Sequence, residues 1–131
     1  MNGLKQLATE YRAHTFSEVT LVGPKEGLDH QLSQTESLAL FHICQESLAN
    51  AAKHSNAKRV DIKVWMTSER VIMEIRDNGR GFDLEKMTMT LGHGLSNIQT
   101  RARSVGGEVD ITSVIGEGTT ILAWVPRRAL A

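Results

Sequence analysis

A chain of 131 residues with 40% hydrophobic content is close to the common size of one globular domain, about 100–150 residues, and is long enough to bury a core. Fifteen basic residues against fifteen acidic ones leave no formal net charge, which removes the global electrostatic case for nucleic acid or an anionic membrane surface as partner. No run resembles a signal peptide or the roughly 20 apolar residues of a membrane span, so the chain reads as cytoplasmic; whether a parent protein is membrane-anchored lies outside it. The one cysteine, Cys44, has no internal partner and reads as a small core residue in a reducing compartment.

In chain order, Leu4, Leu7, Ala8 and Tyr11 fall at helical spacing and the pattern fades near His14, so residues 1–16 read as an amphipathic helix leading into the domain. Glu18 to Val22 alternates like a strand and Gly23-Pro24 closes it. A polar stretch to Ser33 follows. From an N-cap expected near Thr35, a helix runs towards Lys53, with Leu40 or Phe41, Cys44, Leu48 and Ala51 facing a core.

That helix carries a second stripe. Glu46, Asn50, Lys53 and His54 fall at i, i+4, i+7 and i+8, which lines up a carboxylate, an amide and two potential cations on one flank. A solvated face is the ordinary meaning of such a stripe. Asn, however, is a poor helix former, and its carbonyl oxygen suits a hard cation such as Mg²⁺. Glu46 could hold a water on that cation or polarise a nucleophile, and Lys53 could meet a phosphate.

Val60, Ile62, Val64 and Met66 alternate with polar residues, Thr67 to Arg70 turns the chain, and Val71, Met73 and Ile75 share the face of the next strand. The two form an expected antiparallel hairpin. By the same parity Asp77 points where Ile75 points. An ionised carboxylate there costs several kcal/mol unless it finds a hydrogen-bond donor, either internal or on a ligand. Asp77-Asn78-Gly79 is also strong hairpin-turn chemistry, so these residues alone leave a turn and a binding site equally open. Gly79 and Gly81 let a flat or charged group approach the backbone.

Residues Leu84 to Leu91 show no periodicity and read as a mobile loop, with Met87 and Met89 able to pack over a ligand. Gly92-His93-Gly94-Leu95 then feeds a helix with Leu95, Ile98, Ala102 and Val105 on its apolar side and Gly106-Gly107 as its stop. Glycines at a helix N-terminus favour an anion, although weakly as a signal. A second hairpin closes the chain. Val109 and Ile111 alternate, Gly116-Glu117-Gly118 turns, and Thr119 to Val125 is apolar on both faces, as in a central strand, before Pro126. Thr119 shares parity with Ile121, Ala123 and Val125, which aims its hydroxyl at the layer of Asp77. Arg127 to Ala131 is expected to fray.

Four boxes in fixed order carry a family resemblance over nearly the whole chain. Gln45 to His54 resembles the N box of the GHKL, or Bergerat-fold, ATPase superfamily; Asp77-Asn78-Gly79-Arg80-Gly81-Phe82 resembles its first glycine box; Gly92 to Ala102 resembles its second; and Glu117-Gly118-Thr119-Thr120 with Val125-Pro126 resembles its closing strand. The Glu-x-x-x-Asn-x-x-Lys-His and Gly-His-Gly-Leu-x-Asn-Ile forms are most similar to the catalytic domain of nitrate-sensor-type bacterial sensor histidine kinases.

The resemblance implies an α+β two-layer sandwich, a mixed and mostly antiparallel sheet with helices packed on one face, as a single domain over residues 1–131. It implies ATP with Mg²⁺ as the bound species. Asp77 would take the adenine amino group, Gly79 and Gly81 would make room for the base and start the lid, and Thr119 would support the adenine end. Asn50 would hold Mg²⁺, Lys53 and His54 would contact phosphates, and Gly92, His93, Gly94 and Leu95 would present N–H groups to them. Glu46 would be the catalytic residue that polarises the attacking group.

The partners implied are a dimerisation and phosphoacceptor domain and, indirectly, a response regulator. In this subfamily the acceptor histidine precedes an acidic residue. The histidines here precede Thr15, Gln31, Ile43, Ser55 and Gly94, so none qualifies. The chain is therefore read as an excised catalytic domain, monomeric by itself, acting on a histidine elsewhere; a free-standing protein remains the other reading. Two further functions compete: another GHKL ATPase, such as an anti-sigma-like serine kinase, and a non-catalytic binding module. The retained boxes argue against the last.

Overall fold

The computed structural model describes residues 2–15, 17–23, 32–52, 58–81 and 93–127, without the side chains of residues 2 and 93–96. Lys53, His54 and Gly92, the Met87 and Met89 loop and the chain end after Arg127 lie outside the described residues.

Among the described residues eight elements follow in order: α1 (Asn2–Thr15), β1 (Glu18–Val22), α2 (Gln34–Asn50), β2 (Arg59–Met66), β3 (Arg70–Asp77), α3 (His93–Ser104), β4 (Glu108–Val114) and β5 (Gly118–Pro126). The sheet has five strands in the order β1-β2-β3-β5-β4. Only β1 with β2 is parallel; the other three pairings are antiparallel. This is the mixed, mostly antiparallel sheet expected, with β5 in its interior.

The apolar face of each strand and the apolar stripe of each helix close on one core. Val60, Ile62, Val71, Met73, Ala123 and Val125 from the sheet are fully buried against Ile43 and Cys44 of α2 and Ile98 and Ala102 of α3. Leu4, Leu7, Ala8 and Tyr11 of α1 complete the layer. The opposite face of the sheet carries no described helix. Burial pushes the Cys44 thiol up to about 12, as befits an inert core residue.

The start of α2 lies earlier than Thr35. Ser33 is the N-cap: its side chain accepts the Glu36 N–H, while the Glu36 carboxylate accepts the Ser33 N–H at 2.9 Å. The Ser-x-x-Glu reciprocity satisfies two helix-end donors at once and outcompetes a cap at Thr35. The buried stripe of α2 is also broader than the expected Leu40, Cys44, Leu48 and Ala51, since Ala39, Ile43 and Ser47 join it. Phe41, the alternative to Leu40, is only half-buried. α3 stops as expected: Gly107 N–H donates to Ala102 O at 2.8 Å and Gly106 N–H to Arg103 O at 3.1 Å, the paired bonds of a Schellman ending.

Candidate functional site

The inward face of the sheet is apolar except at one end. There the register aligns Val19, Val60, Asp77, Thr119 and Ser113 across all five strands. Asp77 and Thr119 are 7% and 5% exposed, and the Thr119 and Ser113 hydroxyls lie 2.8 Å apart. Two members of the row are thus hydrocarbon and three polar, with a carboxylate where the two kinds meet.

Both readings of Asp77-Asn78-Gly79 hold in part. Asp77 Oδ1 accepts the Gly79 N–H at 2.9 Å, a local Asx turn. Yet β3 does not form a hairpin with the element after it, because its second neighbour is β5. Residues 78–81 instead cross the end of the sheet: Asn78 N–H donates to Arg59 O at 3.2 Å, and Gly116 N–H to Arg80 O at 2.6 Å. The crossing is close. Gly81 has φ 66 and Gly118 φ 120, angles that favour glycine, and a Cβ at Gly118 would collide with the Asp77 carbonyl oxygen.

Burial raises the pKa of Asp77, while the backbone N–H groups of Gly79 and Thr119 pull the other way. Desolvation is the larger influence on its pKa, although no buried side-chain oxygen among the described residues lacks a hydrogen-bond partner. A carboxylate has about four acceptor positions. It retains acceptor capacity for a ligand N–H, and the adenine amino group fits that chemistry.

The N-box residues Gln45 to Asn50 sit on α2, which packs on β3, β5 and α3. Glu46 and Asn50 are half-buried on the flank of α2, Asn50 as its last residue. Among the described residues no group of three or more His, Cys, Asp or Glu side chains could hold a metal ion. An amide that shares Mg²⁺ with phosphate oxygens needs no such cage, so Asn50 fits that ion as one ligand among others. His93, Gly94 and Leu95 form the first turn of α3, where free backbone N–H groups collect.

Three contributors were not singled out from the sequence. Tyr11 of α1 is buried, and its hydroxyl pKa is raised first by burial and then by the negative charge of Asp77, so α1 reaches the same end of the sheet. Ser17 is buried beside it. Asn78 Oδ1 accepts the N–H groups of Lys58 and Arg59 at 3.1 and 2.9 Å and ties the start of β2 to the end of β3. The available signal was Tyr11 itself, the one tyrosine of the chain, on an apolar helix face where a buried hydroxyl needs partners.

Residues 35–129 match the family model described as histidine kinase-, DNA gyrase B-, and HSP90-like ATPase. The chain is 36% identical over 119 residues to the signal transduction histidine-protein kinase/phosphatase DegS of Bacillus subtilis, covering 89% of this chain and 30% of that protein. It is 34% identical over 124 residues to the sensor histidine kinase LiaS of the same organism, covering 95% and 33%. The chain therefore spans about a third of the length of these relatives. Among solved structures, the histidine kinase domain from the Erythrobacter litoralis EL346 blue-light activated histidine kinase superposes with TM-score 0.74 at 17% identity, over 94% of this chain and 58% of that one, which supports the two-layer fold. With the four boxes, the buried Asp77 and these matches together, the chain belongs to the histidine kinase-, DNA gyrase B- and HSP90-like ATPase family, as an ATP-binding catalytic domain of the sensor histidine kinase kind.

Proposed function

We propose that residues 1–131 form one Mg-ATP-binding catalytic unit that transfers the ATP γ-phosphoryl group to a histidine of a separate dimerisation domain and so serves a response regulator. The observation that carries this reading is the Asp77 carboxylate, buried opposite Thr119 with acceptor capacity to spare. A base with an exocyclic amino group supplies the missing donor.

In this reading Asp77 selects adenine and Thr119 supports it, while Gly79 and Gly81 keep the backbone low enough for a flat ring. Asn50 holds Mg²⁺, which neutralises phosphate charge when bound. Lys53 and His54 contact the phosphates, and Gly92 to Leu95 offer backbone N–H groups to them. Glu46 polarises the attacking imidazole, which loses its ring proton as the new N–P bond forms and ADP departs. The isolated chain is a cytoplasmic monomer; no described helix is long and apolar enough to cross a membrane.

Calorimetric titration with a non-hydrolysable ATP analogue, with and without Mg²⁺, tests the reading. Saturable micromolar binding, about 8 kcal/mol, is expected, followed by a phosphohistidine when a relative's dimerisation module is added with ATP. Absence of binding at millimolar nucleotide would overturn it in favour of a binding platform without nucleotide.

A further inference from the structure

At the polar end of the inward row, Ser113 makes a contact to which the nucleotide reading assigns no role. Ser113 and Thr119 stand directly opposite each other in the pairing of β4 with β5, and their hydroxyl oxygens lie 2.8 Å apart. The Ser113 hydroxyl also donates to Gly118 O at 3.3 Å. That carbonyl lies where the chain crosses most tightly, 3.2 Å from the Cβ that a side chain at Gly81 would carry. One side chain of an edge strand thus holds two consecutive residues of β5, the second of them the partner of Asp77.

The placement of protons decides what this contact does. The Thr119 N–H donates to the Asp77 carboxylate, so the hydroxyl is the donor that Thr119 can still turn towards a ligand. A hydroxyl has a single proton and two acceptor positions. If Thr119 donates to Ser113, it faces the site as an acceptor, as Asp77 does. If Ser113 donates to Thr119, the Thr119 proton is released towards the site. The 2.8 Å contact has the ordinary length of an O–H···O bond, whereas 3.3 Å to Gly118 O lies beyond it, so turning the Ser113 proton from Gly118 to Thr119 gives up little.

The edge of adenine that carries the amino group asks for both polarities side by side: the amino group donates, and the adjacent ring nitrogen, N1, accepts. With the amino group on Asp77, N1 needs a donor. Side chains directly opposite on neighbouring strands lie about 5 Å apart, which brings the Thr119 hydroxyl within reach of N1, directly or through one water. On the other side of Asp77 the row offers only Val60 and Val19. We propose that Ser113 is a positioning residue for base recognition: it donates to Thr119 and so fixes the Thr119 hydroxyl as the donor that faces N1, while Asp77 accepts from the amino group. This role rests on the adenine-nucleotide reading and extends it to a side chain that acts through another. A purine with a carbonyl in place of the amino group and an N–H at N1 meets the reverse of both polarities, so the same pair disfavours guanine and hypoxanthine.

The test is calorimetric titration of the whole chain and of Ser113→Ala with ADP and with 1-deaza-ADP, in which a C–H replaces N1, both with Mg²⁺. The parent chain is expected to prefer ADP by about tenfold, the worth of one hydrogen bond. Ser113→Ala is expected to weaken ADP by about threefold or more and to leave 1-deaza-ADP unchanged. A hydroxyl pair that only pinned β4 to β5 would shift both nucleotides alike or neither, and either of those results overturns the role. Equal binding of the two nucleotides by the parent chain overturns it without any variant. In each of these cases ADP still binds and the nucleotide reading stands; binding of neither nucleotide at millimolar concentration overturns that reading and the role of Ser113 with it. Ser113 is half-buried and alanine adds no atoms there, so the variant should fold, and melting followed by circular dichroism checks it.

Discussion

Asp77 stands directly opposite Thr119 in the pairing of β3 with β5, both on the helix-covered face of the sheet and both almost fully buried. A carboxylate in that position is desolvated, is held by the Gly79 and Thr119 N–H groups, and keeps acceptor positions for a ligand donor. Asp77→Asn is therefore expected to abolish adenine-nucleotide binding with the fold retained, as titration calorimetry and circular dichroism would read; an unchanged dissociation constant would sink the adenine assignment.

The same residue sets a pH dependence. Burial raises the folded-state pKa of Asp77 above its unfolded value, so its contribution to stability is complete below the unfolded value, about 3.9, and is lost as pH rises through the raised one. At neutral pH without nucleotide, Asp77→Asn should melt at a higher temperature than the parent chain, with the gap closing as the pH falls below the raised pKa. A variant that melts lower at neutral pH would show that the Gly79 and Thr119 N–H groups outweigh desolvation.

Tyr11 offers an optical reading of that carboxylate. Its pKa is raised by burial and, next, by Asp77, and no other tyrosine is present to confuse the signal. Tyrosinate absorbance followed against pH should show a lower pKa in Asp77→Asn than in the parent. Identical titration curves would place the two groups too far apart to interact.

Asn50→Ala is expected to weaken nucleotide binding with Mg²⁺ present by about tenfold or more, a factor worth ~1.4 kcal/mol, and to leave binding without metal nearly unchanged. Equal losses in the two titrations would argue against a metal role for the amide.

Two backbone positions make stability predictions. Gly118→Ala combines a left-handed φ of 120 with a collision against the Asp77 carbonyl and should cost at least about 1–3 kcal/mol, measured by denaturant unfolding. Ser33→Ala removes half of the capping box of α2 and should cost about 1 kcal/mol. A loss near zero at Ser33 would mean that the helix start frays in solution.

Much of this architecture is legible because it rests on parity and period. Two-residue alternation placed Asp77 with Val71, Met73 and Ile75, and Thr119 with Ile121, and the strands keep those faces. Helical spacing likewise found Leu48, Ile98 and Ala102. Three kinds of feature escaped. The cap at Ser33 was missed because several capping residues crowd residues 33–37, and only the reciprocal bond to Glu36 decides among them. The parallel pairing of β1 with β2 depends on contacts far apart in sequence, which no local pattern encodes. Tyr11 acquires its meaning from neighbours on other elements; alone, it reads as core.

Both tryptophans stand on the helix-free face: Trp65 and Trp124 flank Ile72 in one outward row, and the Arg70 guanidinium lies 3.9 Å over the Trp124 ring. The one tyrosine is buried on the opposite side. The sheet thus divides the chromophores of the protein into two optical compartments, with intrinsic fluorescence looking outward and tyrosine absorbance looking towards Asp77. A tryptophan signal that stays flat as nucleotide binds, and moves when something settles on the outer face, is what this partition dictates.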